Sequence, residues 1–154
     1  MRRKLLLIIT IFVLLSISIA GISSLYPGSE GQHSGTPTIT ESQSFTGEFH
    51  NQASKLEITI TDNSTNSERL NISYVSSASN QTEFAQEVGR IAVAYAKTVN
   101  QTKSKTLNLS VSVMDEGNAR AKFMIRYHWA LEFTNGRLTP ENYTERIYST
   151  YETV

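Results

Sequence analysis

Leu56, Ile58 and Ile60 alternate with Lys55, Glu57 and Thr59, and a period of two marks a strand with one buried face. A second run follows a polar turn, with Leu70, Ile72 and Tyr74 on one parity and Asn71 and Ser73 on the other, and the Ser-rich stretch from Ser76 to Ser79 ends it. The period then changes. Phe84, Val88, Ile91, Ala92, Tyr95 and Val99 recur at three- and four-residue spacings, which predicts an amphipathic helix from Gln81 to Val99. Asn80 stands where it can cap that helix, and Glu83 three residues on can close a capping box.

Leu107, Leu109, Val111 and Val113 alternate with Asn108, Ser110 and Ser112, and Asp115-Glu116-Gly117-Asn118 reads as the hairpin turn after them. Beyond it Ala121, Phe123, Ile125, Tyr127, Trp129, Leu131 and Phe133 take every second position, while Lys122, Met124, Arg126, His128, Ala130, Glu132 and Thr134 take the other parity. A helix would pair Trp129 with Phe133 but splay Phe123, Ile125 and Tyr127 around its circumference, so a strand is predicted through residue 130, with the signal thinning after it. Trp129 is expected in the core beneath the first helix, near some of Phe84, Val88, Ile91 and Tyr95. Asn135-Gly136 turns the chain. A last helix then opens with Thr139 as cap and Pro140 in its first position, Leu138 stapling onto Tyr143, and Tyr143, Ile147 and Tyr151 as the buried stripe.

The predicted order is strand, strand, helix, strand, strand, helix. It implies an α+β two-layer sandwich: a largely antiparallel four-stranded sheet with two helices on one face. An N-terminal apolar helix precedes it, because Met1-Arg2-Arg3-Lys4 is followed from Leu5 to Ile22 by an uncharged run. Eighteen residues at about 1.5 Å each reach roughly 27 Å, close to the bilayer core of about 30 Å. Residues 1–22 therefore read as a signal-anchor, holding the chain in the membrane through residues 5–22 as a single pass. Ser18 and Ala20 also suit a signal peptide cleaved near Ala20, which would leave the protein secreted. Either way the cations stay inside and the C-terminal part goes outside. Residues 23–47 are rich in Ser, Gly, Thr and Pro and read as a disordered linker. Residues 48–154 are left as one extracytoplasmic domain.

Charge removes one class of partner. Lys plus Arg equals Asp plus Glu at 14 each, and residues 48–154 carry 11 basic against 12 acidic side chains, so the field that grips nucleic acid is missing. The sequence has no Cys, which excludes a disulfide framework, a thiolate metal site and a thioether-linked lipid.

Chemistry is sparse. His128 and Glu132 share a parity, yet on a strand their Cα atoms stand roughly 13 Å apart, too far for a dyad. Asp115 and Glu116 suit a turn, Lys122 with Arg126 suits a solvated face or an acidic partner, and Trp129 with Tyr127 and Phe133 suits a core better than a sugar platform. The sequence has no phosphate loop, nucleophile elbow or His pair at metal spacing. No catalytic residue, cofactor or metal ligand is expected. Six of the ten Asn residues, Asn63, Asn71, Asn80, Asn100, Asn108 and Asn142, lie in Asn-x-Ser/Thr sequons, candidate N-glycosylation acceptors in an exported chain. Asn63 is expected in a loop, Asn71 and Asn108 on outward strand faces, and the other three at helix ends, all at the surface.

Three stretches carry a family likeness: Ser73-Tyr74-Val75; Glu83-Phe84-Ala85-Gln86-Glu87-Val88-Gly89 with Ala94-Tyr95-Ala96; and Trp129-Ala130 with Asn135-Gly136-Arg137-Leu138-Thr139 and Tyr143. On them the chain, from Leu70 to Thr150, resembles an uncharacterised family of short exported, lipoprotein-like domains from halophilic archaea. The resemblance implies an envelope location and a small α+β domain, and brings no catalytic residue with it. Members are typically very acidic and often begin with a lipid-modified Cys; this chain is neutral and lacks Cys, so the apolar segment is its visible anchor. The function expected is that of a membrane-tethered or secreted cell-envelope domain of structural or protein-interaction type, its partner an unidentified envelope protein. The alternative is an extracytoplasmic module that binds or senses saccharide or peptide.

Overall fold

The computed structural model describes residues 41–102 and 107–154. The apolar run at 5–22, the cleavage position near Ala20 and residues 23–40 of the linker lie outside the described residues. Among the described residues, no helix is long and apolar enough to cross a membrane.

Helix α1 spans Glu41–Lys55. Phe45, Phe49 and Ala53 fall at four-residue spacing and are fully buried, and the two Phe rings meet Tyr95 edge-on at 6.0 and 6.4 Å. The helix ends where Leu56 N and Ile58 N both donate to Ala53 O at 3.0 Å, with Glu57 in the left-handed region at φ 61. Strands β1 (Ile60–Thr65) and β2 (Arg69–Val75) form an antiparallel hairpin. Asn66 shapes its turn, its Oδ1 accepting from Glu68 N and Arg69 N at 3.0 and 2.8 Å.

Helix α2 (Gln81–Thr102) crosses over and returns the chain as β3 (Asn108–Asp115), parallel to β2. Strand β4 (Asn118–Ile125) closes the second hairpin through Glu116 and Gly117, both at positive φ. Helices α3 (Tyr127–Thr134) and α4 (Pro140–Tyr148) follow, and β5 (Glu152–Thr153) pairs antiparallel with β4. The sheet order is β1-β2-β3-β4-β5. Leu70, Ile72 and Tyr74, then Leu109, Val111 and Val113, then Ala121, Phe123 and Ile125 are buried on one face. On the other face Asn71, Ser73, Ser110 and Ser112 are half-buried and Lys122 is exposed.

The predicted α+β class holds, and the sheet differs from the one expected. It has five strands rather than four and is mixed, because a helical crossover leaves β2 and β3 running in the same direction. Among the described residues, four helices stand where the sandwich was expected to have two. Residues 41–47 of the supposed linker are the opening turns of α1, whose Phe45 and Phe49 supply the burial that the polar composition concealed. Strand β1 lies further along the chain than the alternation of Leu56, Ile58 and Ile60 indicates, and Asn63 is in it rather than in a loop.

The largest correction falls after Ile125. Residues 127–134 form α3 and not a continued strand, because β3 begins at Asn108 and its last pair with β4 is Leu109 with Ile125. The next free amide, Tyr127 N, donates to Asn108 Oδ1 at 3.0 Å, and the chain leaves the sheet there. Trp129 is still a core residue, 9 % exposed, reached from a helix that packs on α2. The predicted last helix is present: Thr139 Oγ1 accepts from Asn142 N at 3.3 Å, Pro140 opens it, and Tyr143 and Ile147 are buried. Tyr151 lies beyond it and is 40 % exposed.

Candidate functional site

The cleft of about 350 Å³ beside the start of α2 is lined by Ser76, Ser79, Phe84, Asp115, Arg120 and Tyr151 among others. Its position follows from the cap. Asn80 Oδ1 accepts from Thr82 N and Glu83 N, each at 3.0 Å. Glu83 answers one residue further back than a capping box requires, its carboxylate taking Ser79 N at 2.7 Å and Asn80 Nδ2 at 2.8 Å. On the opposite wall the β3–β4 turn brings Arg120 to 3.3 Å from Asp115. Tyr151, from the C-terminal segment, meets Phe84 edge-on at 5.9 Å.

Behind Ser76 lies Glu87, 3 % exposed. Its oxygens accept from Ser76 Oγ at 2.6 Å, from Ser77 N and Ser77 Oγ at 2.9 Å each, and from Tyr74 Oη at 3.3 Å. A buried carboxylate supplied with that many donors is a satisfied one. Burial pushes the Tyr74 phenol far above its ordinary range, and the negative charge and hydrogen bond of Glu87 push the same way. The Tyr148 hydroxyl is buried without a hydrogen-bond partner; burial first, and Tyr151 second, push its phenol up to about 12. The assembly offers an aromatic edge, an exposed ion pair and several hydroxyls, which suits non-covalent contact with a polar molecule or peptide segment.

The residues singled out in the sequence do not converge on this cleft, except Asn80 and Asp115. Of the six sequon residues, Asn63, Asn80, Asn100 and Asn142 are exposed, while Asn71 and Asn108 are half-buried on the uncovered sheet face. Asn63 lines a second pocket, of about 220 Å³, with Gln43, Thr46 and Thr65. His128 and Glu132 sit at i and i+4 of α3, so the 13 Å spacing inferred for a strand does not apply. They remain apart in role: Glu132 pairs with Arg146 at 2.8 Å, and His128 rests edge-on against Trp129 at 5.6 Å. Lys122 and Arg126 do not form one basic pair either. Lys122 lies opposite Glu152 in the sheet, whereas Arg126 stands over the Trp129 ring, 5.3 Å from its centroid.

Glu87 carries a signal of its own in the sequence. It falls within the apolar stripe between Phe84 and Ile91, where a charge needs partners, and the serines that supply them lie at the end of the preceding strand. Among the described residues, no group of three His, Asp or Glu side chains could hold a metal ion.

Neither the curated proteins nor the solved structures contain a match to this chain. The model of a family described as Domain of unknown function (DUF8159) matches residues 40–154, and the chain belongs to that family.

Proposed function

We propose that the protein is a membrane-tethered or secreted cell-envelope domain that acts by contact with another protein and carries out no catalytic step. The address rests on the cation-headed apolar run at 5–22. That run anchors the chain as a single pass with the domain outside, or leaves the protein secreted after cleavage near Ala20. The likeness to short exported domains of halophilic archaea supports the same address.

One observation carries the non-catalytic reading: Glu87, the buried acid behind the cleft, is already committed to Tyr74, Ser76 and Ser77. A general acid or base has to reach a proton of the substrate, and this carboxylate is occupied within the fold. The partner is an envelope protein that docks at the rim formed by Phe84, Tyr151 and Arg120. Near-balanced charge over residues 48–154 argues against nucleic acid. The same aromatic and hydroxyl rim favours a second reading, a saccharide- or peptide-binding module.

Two measurements test this. Protease added to intact cells should remove the folded domain, and its survival there, with cleavage after lysis, would overturn the address. A photo-crosslinker in place of Tyr151 should capture one envelope protein, and Arg120→Glu should abolish the capture. Thermal stabilisation by envelope oligosaccharides with no protein captured would select the second reading.

A further inference from the structure

The uncovered sheet face has a sequence feature that its geometry sharpens. In an extended strand residues i and i+2 point to the same side, so Asn71 and Ser73 share this face, and so do Asn108 and Ser110. Ile72 and Leu109, the middle residues of these two sequons, point into the core and are buried. The parallel register of β2 and β3 sets Asn71 beside Ser110, and Asn108 beside Arg69. The two acceptor amides thus stand on adjacent central strands, two register steps apart, where no helix among the described residues covers the sheet.

Their hydrogen bonds separate them from Asn80. Asn108 spends Oδ1 on Tyr127 N, and its Nδ2 has no partner among the described residues. Asn71 Nδ2 has only two long contacts with Ser64, at 3.4 and 3.5 Å. Asn80 is committed at both ends, its Oδ1 to two helix amides and its Nδ2 to Glu83 at 2.8 Å, and it lines the cleft.

We propose that Asn71 and Asn108 carry N-linked glycans that shield the uncovered face of the sheet, and that Asn80 stays unmodified, leaving the cleft open. The glycan comes from a lipid-diphosphate-linked oligosaccharide. In the transfer Asn Nδ2 bonds to the anomeric carbon, the bond from that carbon to the phosphate oxygen breaks, the lipid diphosphate leaves, and the amide proton passes to a base of the transferase. The inference rests on the envelope reading, since only an exported chain meets such a donor.

The test uses the full chain purified from its native host. Tryptic peptides 70–90 and 106–120 hold Asn71 with Asn80, and Asn108, respectively. Electron-transfer fragmentation should place a glycan on Asn71 and on Asn108 and none on Asn80. In the same host, Ser73→Ala and Ser110→Ala should each lower the intact mass by one glycan, matching Asn71→Gln and Asn108→Gln, since the sequon hydroxyl is lost without touching the acceptor. An unmodified Asn71 or Asn108, or a glycan on Asn80, overturns the inference. Where protease reaches the domain on intact cells, that failure leaves the envelope reading standing; where it does not, the envelope reading itself has failed.

Discussion

At the scale of single residues, Glu87 has the most consequence. Removing its carboxylate takes the acceptor from the buried Tyr74 phenol and from the half-buried Ser76 hydroxyl, whereas Ser77 is exposed and can turn to water, and each unsatisfied buried group costs about 1 to 3 kcal/mol. Such losses are not additive within one network. Glu87→Ala should therefore lower unfolding stability by about 3 kcal/mol, and Glu87→Gln, which keeps one acceptor and lets the hydroxyls turn, by about 1 kcal/mol. Urea unfolding of the two variants checks the order. Buried phenols give a second expectation. Tyr74, Tyr95, Tyr143 and Tyr148 all have pKa values raised chiefly by burial, so the fold favours their protonated forms. Their contribution is complete below the unfolded phenol pKa of about 10 and is lost as pH climbs through the folded values. Stability should fall above pH 10, with phenolate absorbance rising together with the loss of helical circular dichroism. Ionisation of all the phenols near pH 10 with the fold intact would contradict these burial assignments.

At the scale of elements, the instructive case is the passage from β4 to α3. Tyr127, Trp129, Leu131 and Phe133 have the alternation and the aromatic content of a strand, so local pattern and local propensity agreed on the wrong element. What decides the matter is non-local: β3 has no residue left to pair beyond Asn108, and the Asn108 side chain takes the next amide. Leu131, 39 % exposed, shows the broken parity. Helix α1 is hidden for the opposite reason, since Ser, Thr, Gln and Gly around Phe45, Phe49 and Ala53 resemble a tether and mask their four-residue spacing. By contrast β2, α2, β3, the β3–β4 turn and α4 were legible, because in each the buried positions keep a strict period and a cap or turn residue marks an end. The cleft was less so. It joins Ser76, Phe84, Arg120 and Tyr151 from four separate stretches, and only the tertiary fold brings them together. One expectation survives the change of element. Trp129→Ala should cost about 3 to 5 kcal/mol through the cavity it leaves, read as a fall in the thermal midpoint. An unchanged midpoint would assign the ring to ligand contact instead.

At the scale of the whole molecule, the two edges of the sheet are treated differently. On the β4 side the C-terminal segment seals the strand: Thr150 Oγ1 lies 2.9 Å from Met124 N and 3.0 Å from Met124 O, β5 pairs with Ala121 and Lys122, and Val154 N donates to Arg120 O at 3.1 Å. On the other side, among the described residues, β1 pairs with β2 alone. An unpaired edge is a template for another strand, and a sealed one is not. Among the described residues, the sheet therefore has a valence of one. Two copies joined through β1 would form a closed pair, with no free edge at either end to recruit a third. Deleting Glu152–Val154 raises the valence to two, and light scattering of that variant should show growth past a dimer, whereas the chain with β5 intact should not exceed one. Residues 150–154 thus act as a chain terminator in the polymer chemist's sense, fixing how many molecules can join rather than how firmly one is folded.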